Sequence, residues 1–316
     1  MRAGGRGTSL IGASLFFLLS LFFFFLGAPA AEEPGLLLTE TRQMGLGDSF
    51  FRDGDFYRAI TEYRRFLYLF PESPRADEAL FKIGRSYFQG RRWDEAIAAF
   101  GELEKKFPLT RFATQALLLA GRSFMEKKDY PAARRLFLSV KGIAPDSPEA
   151  DEGQMDMALA YLREERYKEA AEAFRQVSRS SRLHPSADYL AAGLDRISDL
   201  PGKSPAGAGL LAALLPGTGH LYVGRYRDAA VAFALNAAFI AGAIEAFRRE
   251  SYVVAGILTF FELGWYSGNI YSAVSSAHKY NRQMKQDYLD RLEREGLSLG
   301  VSSPRGGLGI ALRYVY

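Results

Sequence analysis

Few side chains in this sequence are spaced to do covalent or metal chemistry. The three histidines, His184, His220 and His278, are separated by 36 and 58 residues, and none has a second ligand at a spacing that would close a metal site. There is no cysteine, which excludes disulfides, thiolate nucleophiles, Cys-based zinc sites and lipid attachment through a cysteine. The glycine-rich string Pro216-Gly217-Thr218-Gly219-His220-Leu221-Tyr222-Val223-Gly224-Arg225 raises phosphate binding. No Lys-Ser/Thr pair follows it and no strand precedes it, so a nucleotide loop is not indicated. Three glycines and a proline demand instead a tight, irregular backbone. With no nucleophile elbow, paired-carboxylate cleft or cofactor fingerprint, the expectation is a non-enzyme with no cofactor and no metal. One polar set remains: Asn236, Glu262 and Asn269 stand in apolar surroundings, where hydrocarbon would penalise them if unpaired.

The elements that must hold this set are two apolar helices, expected over 229–247 and 252–277 and joined by Arg248-Arg249-Glu250. Each is about long enough to cross a bilayer. Counted outward from the connection, Asn236 and Glu262 fall at nearly the same depth. Glu262, Tyr266, Asn269 and Ala273 share a face at i, i+4, i+7 and i+11. The expected use is a hydrogen bond from Asn236 to Glu262 across the pair, worth about 0.6–2 kcal/mol; the alternative is a proton or ion relay. A short apolar segment over 206–215 precedes the turn string and is too short to span. The string, through Pro216, Gly217, Gly219, His220, Tyr222 and Gly224, resembles a family of small two-helix membrane domains. In that family a Pro-Gly-x-Gly-x-x-Tyr-x-Gly element precedes a transmembrane hairpin. The module is bounded at 206–280, behind a linker at 201–205 marked by Pro201-Gly202-Lys203-Ser204-Pro205. The last part, 281–316, reads as an amphipathic helix ended by Gly296. A small β element should follow, in which 297–301 pairs with the alternating Leu308, Ile310, Leu312, Tyr314 and Tyr316.

The first half has a different order. Gly47, Gly84 and Gly121 recur at 37-residue spacing; each is followed twelve residues on by Ala59, Ala96 or Ala133 and sixteen on by Tyr63, Phe100 or Phe137. Pro71, Pro108 and Pro145 stand twenty-four residues after each glycine. A fourth copy runs through Ala158, Ala170 and Phe174. The pattern resembles the tetratricopeptide repeat, a helix-turn-helix unit with small residues where its helices touch. The resemblance implies an all-α solenoid over 38–200 that serves as a binding surface. The first helix of each repeat would line the concave side. Its stripe is Met44 and Phe51, then Phe81, Arg85 and Phe88, then Leu118, Arg122 and Met125, then Met155 and Leu162. Such a stripe suits an extended or helical peptide with acidic groups; the alternative is that Phe81 and Met155 bury against neighbouring repeats. The period is longer than the usual 34 residues. Together with Phe70-Pro71-Glu72-Ser73-Pro74, Ala79-Leu80 and Gly84, it is similar to the repeats of two envelope proteins: the outer-membrane assembly factor BamD and the periplasmic coordinator that works with Tol-Pal. BamD is a lipoprotein, and this chain lacks the cysteine that would require.

Residues 1–30 read as a signal peptide, with Arg2 and Arg6, an apolar run from Leu10 to Leu26, and Ala28-Pro29-Ala30. Net charge is only +4 and no basic stripe appears, so no nucleic-acid partner is expected. The combined expectation is an all-α tetratricopeptide-type solenoid with a transmembrane helical hairpin and a small C-terminal β element. Its function would be an exported, membrane-tethered scaffold binding an envelope protein or peptide, with the lipid bilayer as second partner. A membrane-active module for transport or protein insertion, with repeats recruiting clients, is the alternative. The location would be the bacterial cell envelope: repeats periplasmic, hairpin in the inner rather than the outer membrane.

Overall fold

The computed structural model describes residues 38–301, with side chains through Leu299. It divides into two compact units, one ending at Ala79 and one beginning at Leu80. The expected signal peptide at 1–30 and the alternating residues from Leu308 to Tyr316 lie outside the described residues.

The first unit holds α1 (Glu40–Arg52) and α2 (Phe56–Leu69). Thr39 caps α1 and Asp55 caps α2 through side-chain oxygens accepting from backbone N–H groups. The glycine of the repeat motif explains itself here: a Cβ on Gly47 would lie 2.5 Å from Cε1 of the Tyr63 ring. The Tyr63 hydroxyl donates to Asp48 Oδ1 at 2.7 Å. Buried Gln43 donates its Nε2 to the Glu62 carbonyl at 2.9 Å and to Glu62 Oε2 at 2.8 Å, which satisfies two buried polar side chains at once.

The next helix is α3 (Ala76–Gln89). It is followed by α4 (Trp93–Lys106), α5 (Ala113–Glu126), α6 (Tyr130–Ile143), α7 (Pro148–Arg163), α8 (Tyr167–Arg175) and α9 (His184–Asp195). A Cβ on Gly84 would lie 2.5 Å from the Phe100 ring, and one on Gly121 would lie 2.4 Å from the Phe137 ring. Ala96, Ala133, Ala158 and Ala170 have no exposed surface, so the recurring glycine, alanine and aromatic positions are packing positions, while Pro71, Pro108 and Pro145 are exposed. The helices before Pro108 and Pro145 end two residues earlier, at Lys106 and Ile143. The turns inside the pairs also obey the period. Gly54, Arg91, Lys128 and Glu165 all take left-handed backbone, at φ 78°, 56°, 61° and 58°.

After a 3-10 turn (Arg196–Asp199) come α10 (Pro205–Leu214), α11 (Thr218–Tyr222), α12 (Tyr226–Arg248) and α13 (Tyr252–Val301), the last of 50 residues. No strand occurs among the described residues. Three expectations are corrected. First, no break separates a hairpin arm ending near Ala277 from an amphipathic helix, because α13 is continuous. Second, Gly296 does not end it and 297–301 is helical, not a strand. A Cβ on Gly296 would come within 2.6 Å of Leu190, so this glycine permits a close approach to α9 rather than a cap. Third, 201–205 is no free linker. Asn281 accepts from Lys203 N at 2.7 Å and donates to the Lys203 carbonyl at 2.8 Å, while Tyr222 Oη accepts from Ser204 N at 3.1 Å.

The end of α13 closes the repeat core. Leu292 is buried in the same cluster as Leu159, Phe174, Leu190 and Leu194. Tyr288 donates to the Gly193 carbonyl at 2.8 Å, Arg163 holds Glu293 in two bonds of 2.8 and 3.0 Å, and Lys285 lies 4.2 Å from the Tyr167 ring. A solenoid needs such a cap, since its last repeat otherwise exposes an apolar face. Here the cap and an arm of the apolar hairpin are one helix.

Candidate partner and membrane surfaces

The expected stripe on the first helices is mostly closed. Met44, Phe81, Leu118, Met155 and Leu162 are all buried, which corrects the reading of them as groove residues: in this array they pack between helices. In the second unit Phe81 stacks on Phe112 at 4.7 Å, and Leu118, Met155 and Leu162 belong to the main core. Arg122 is also committed, with Nε to Asp156 Oδ2 at 2.6 Å and Nη2 to Glu152 Oε2 at 3.0 Å. Desolvation works against its charge, but the two carboxylates more than offset it and raise its pKa. Burial likewise pushes the Asp156 carboxyl upward, with Arg122 pulling against it. Partly open are Phe51 in the first unit and, on the first helices of the second unit, Arg85, Phe88 and Met125. Phe88 packs edge-on to Trp93, and Arg85 lies 5.9 Å over Phe81.

The hairpin seam shows a regular spacing. Ala229, Ala232 and Asn236 on α12 face inward, and on α13 Ala255, Glu262, Asn269, Ala273 and Ser276 do; steps of three, four and seven residues keep these on one face of each helix. The expected Asn236–Glu262 bond is not formed. Asn236 Nδ2 turns back to the Ala232 carbonyl of its own helix at 2.6 Å, the local bond a short polar side chain takes within a helix. Asn236 Oδ1, both Glu262 oxygens and Asn269 Nδ2 have no hydrogen-bond partner among the described residues.

The turn string is a joint where four helices meet. Gly217 is left-handed, at φ 92°, and starts α11. Gly219 is wedged among Ala273 and Ala212, whose Cβ atoms lie 2.7 and 2.8 Å from where its own would be. Buried His220 shares a hydrogen bond of 3.0 Å with Ser272, and desolvation lowers its pKa. Arg225 donates to Ser276 at 2.8 Å, and Tyr266 donates to the Ala213 carbonyl at 2.8 Å. Pro216 precedes Gly217 at the end of α10, Tyr222 holds Ser204, and Gly224 takes φ 81°. Each of these residues therefore has a structural task. Outside the seam the surface is apolar: Phe233, Ile240 and Phe247 on α12, and Val253, Phe260 and Leu263 on α13, are exposed. Among the described residues α12 is the one helix long and apolar enough to cross a membrane. The first half of α13 is diluted by Glu262, Ser267 and Asn269.

Paired helices, glycine-on-aromatic contacts and buried alanines at a fixed period define a helical-repeat binding module. A profile of the tetratricopeptide repeat matches residues 44–108, 81–148 and 155–194: this part of the chain consists of tetratricopeptide repeats. Solved structures similar to it include pilF of Pseudomonas aeruginosa, 16% identical over 77% of this chain and 97% of that one, with TM-score 0.41. A tetratricopeptide repeat protein from Parabacteroides merdae is 16% identical over 81% and 98%, with TM-score 0.40. The Rap conjugation gene regulator of plasmid pLS20, solved in complex with the Phr* peptide, is 14% identical over 96% and 89%, with TM-score 0.37. A search of curated proteins gives no significant match. The contacts that sequence reasoning missed, Asn281 with Lys203 and Tyr288 with Gly193, join residues 78 and 95 positions apart. Gly193 and Gly296, where α9 and α13 approach closely, are a local sign of the second.

Proposed function

We propose that this chain is a non-catalytic scaffold whose repeats hold a partner protein or peptide and whose hairpin tethers them to a membrane of the bacterial cell envelope. The observation that carries this reading is the exposed apolar skin of α12 and the first half of α13, with Phe260 at 74% and Tyr271 at 76% exposure. Apolar surface of that extent in water marks an interaction site or a membrane. Because α13 also caps the solenoid, the tether is rigid over its contact with the repeats. The first test is extraction: the full chain should stay with membranes in alkaline carbonate and float with vesicles, and release into the aqueous fraction refutes the tether. Photo-crosslinkers at Phe88 and Met125 should capture the partner. Capture from Phe260 alone would support the other reading, a membrane-active hairpin with repeats as recruiters.

Orientation is a separate matter. The N-terminal sequence supports exported repeats. A contrary observation is the charge at the ends of the hairpin. The connection is balanced, with Arg248 and Arg249 against Glu245 and Glu250 and Arg249 paired to Glu245 at 2.7 Å, whereas Arg225, Arg227, Lys279 and Arg282 stand at the repeat side. A positive-inside bias favours cytoplasmic repeats. A cysteine at Leu109, which is 98% exposed in a chain with no other thiol, decides this. An impermeant maleimide applied to spheroplasts labels it only if the repeats are exported.

A further inference from the structure

The base of the hairpin is built to meet charged headgroups, and we infer that it selects anionic phospholipids; this rests on the tether proposed above. The apolar skin has defined limits. Tyr252 and Tyr271, both exposed, are nineteen residues apart on α13, a rise of about 28 Å, close to the ~30 Å of a bilayer core. On α12 exposed Tyr226 stands at the same end as Tyr271, since Arg225 bonds Ser276. Tyrosines at such limits sit at the membrane–water boundary.

Just beyond this boundary the chain gathers cations. Over 200–230 and 272–284 it carries Lys203, Arg225, Arg227, Lys279 and Arg282 against one carboxylate, Asp228, which pairs with Arg225. Tertiary structure makes a collar of them. Lys203 is brought to α13 by the Asn281 clamp, and its Nζ lies 4.8 Å from the Tyr222 ring and 5.8 Å from the Tyr280 ring. Arg225 is fixed at the level of Ser276. Arg227, Lys279 and Arg282 are exposed. Below the collar α10 and its end offer exposed Leu210, Leu214 and Leu215, apolar side chains at the depth where acyl chains begin. Cations over an apolar rim complement a phosphodiester on an acyl chain, and the balanced connection at the far end offers no such match. The occupant is the headgroup layer of an anionic leaflet.

The test uses the full chain in phosphatidylcholine vesicles containing a minority of phosphatidylglycerol. One or the other lipid is brominated, and quenching of Trp265 is read in a Trp93→Phe background. The expected result is annular enrichment of phosphatidylglycerol of roughly fivefold or more, the order one interfacial cation supplies, collapsing toward unity in high salt. A quadruple variant, Lys203→Gln, Arg227→Gln, Lys279→Gln and Arg282→Gln, should lose the enrichment. Arg227→Lys with Arg282→Lys should keep it, which separates charge from misfolding. Equal quenching by both lipids, or enrichment that persists in the quadruple variant, overturns the inference while leaving the tether standing. A chain that inserts into neither vesicle overturns both.

Discussion

Replacing Lys128 by glycine should stabilise this protein. Lys128 is the left-handed residue in the turn between α5 and α6, at φ 61°. Its side chain is exposed and makes no hydrogen bond or ion pair among the described residues. An L-residue in that conformation costs about 1–2 kcal/mol. Glycine removes this cost but loses about 0.5–1 kcal/mol through the freedom it gives the unfolded chain. The net gain is therefore about 0.5–1 kcal/mol, and it leaves the turn's backbone bond from Lys128 N to the Met125 carbonyl, 2.9 Å, in place. Arg91→Gly tests the same logic one period earlier, at φ 56°. The two sites share no partner, so their effects should add to about 1–2 kcal/mol. Urea melts of the detergent-solubilised chain, followed by circular dichroism, give the value. The first repeat supplies the reverse control, because Gly54 already occupies this position at φ 78°, and Gly54→Lys should lose what Lys128→Gly gains. Unchanged or lowered midpoints for Arg91→Gly and Lys128→Gly would refute the reasoning.

Three further outcomes follow from contacts described above. Gly121→Ala gains about 1 kcal/mol of helix propensity but sets a Cβ 2.9 Å from Phe137 Cδ1 and closer still to Cε1. Overpacking of about 1–3 kcal/mol should prevail in the melt, and Phe137→Leu in the same chain should recover part of it; a stabilised Gly121→Ala would sink the packing account. Arg122→Met should destabilise by about 3 kcal/mol near neutral pH, the order for stripping one partner from a buried ion pair, and by less in mild acid. The sign follows from Asp156: its folded pKa already lies above the unfolded one, and removing the guanidinium raises it further. Its contribution is then fully present below the unfolded value and lost as pH rises through the folded value. An equal deficit at pH 5 and pH 7.5 would contradict this. Leu292→Ala should cost about 2–4 kcal/mol through the cavity it leaves and expose amides of α9 to hydrogen exchange. Unaltered protection there would mean that α13 is not the cap.

The sequence determined the repeat and its parts. A 37-residue period of glycine, alanine and aromatic is local information, because each glycine meets an aromatic sixteen residues on, within one helical pair. The same locality made the apolar helix α12 legible. What the period cannot carry is which face of a first helix stays open. Phe81, Leu118 and Met155 have the spacing of a surface stripe, yet they are buried. That face is decided by what the next pair brings against it, not by the helix's own order. Tertiary structure alone decided the fate of the C-terminal third. Gly296 and the leucines around it suit a helix end followed by a strand, and the chain continues as helix because Leu190, Gly193 and Leu194 offer it an apolar seat. Burial of that seat outweighs the intrinsic cost of a helical glycine, and no local rule weighs contacts made a hundred residues away.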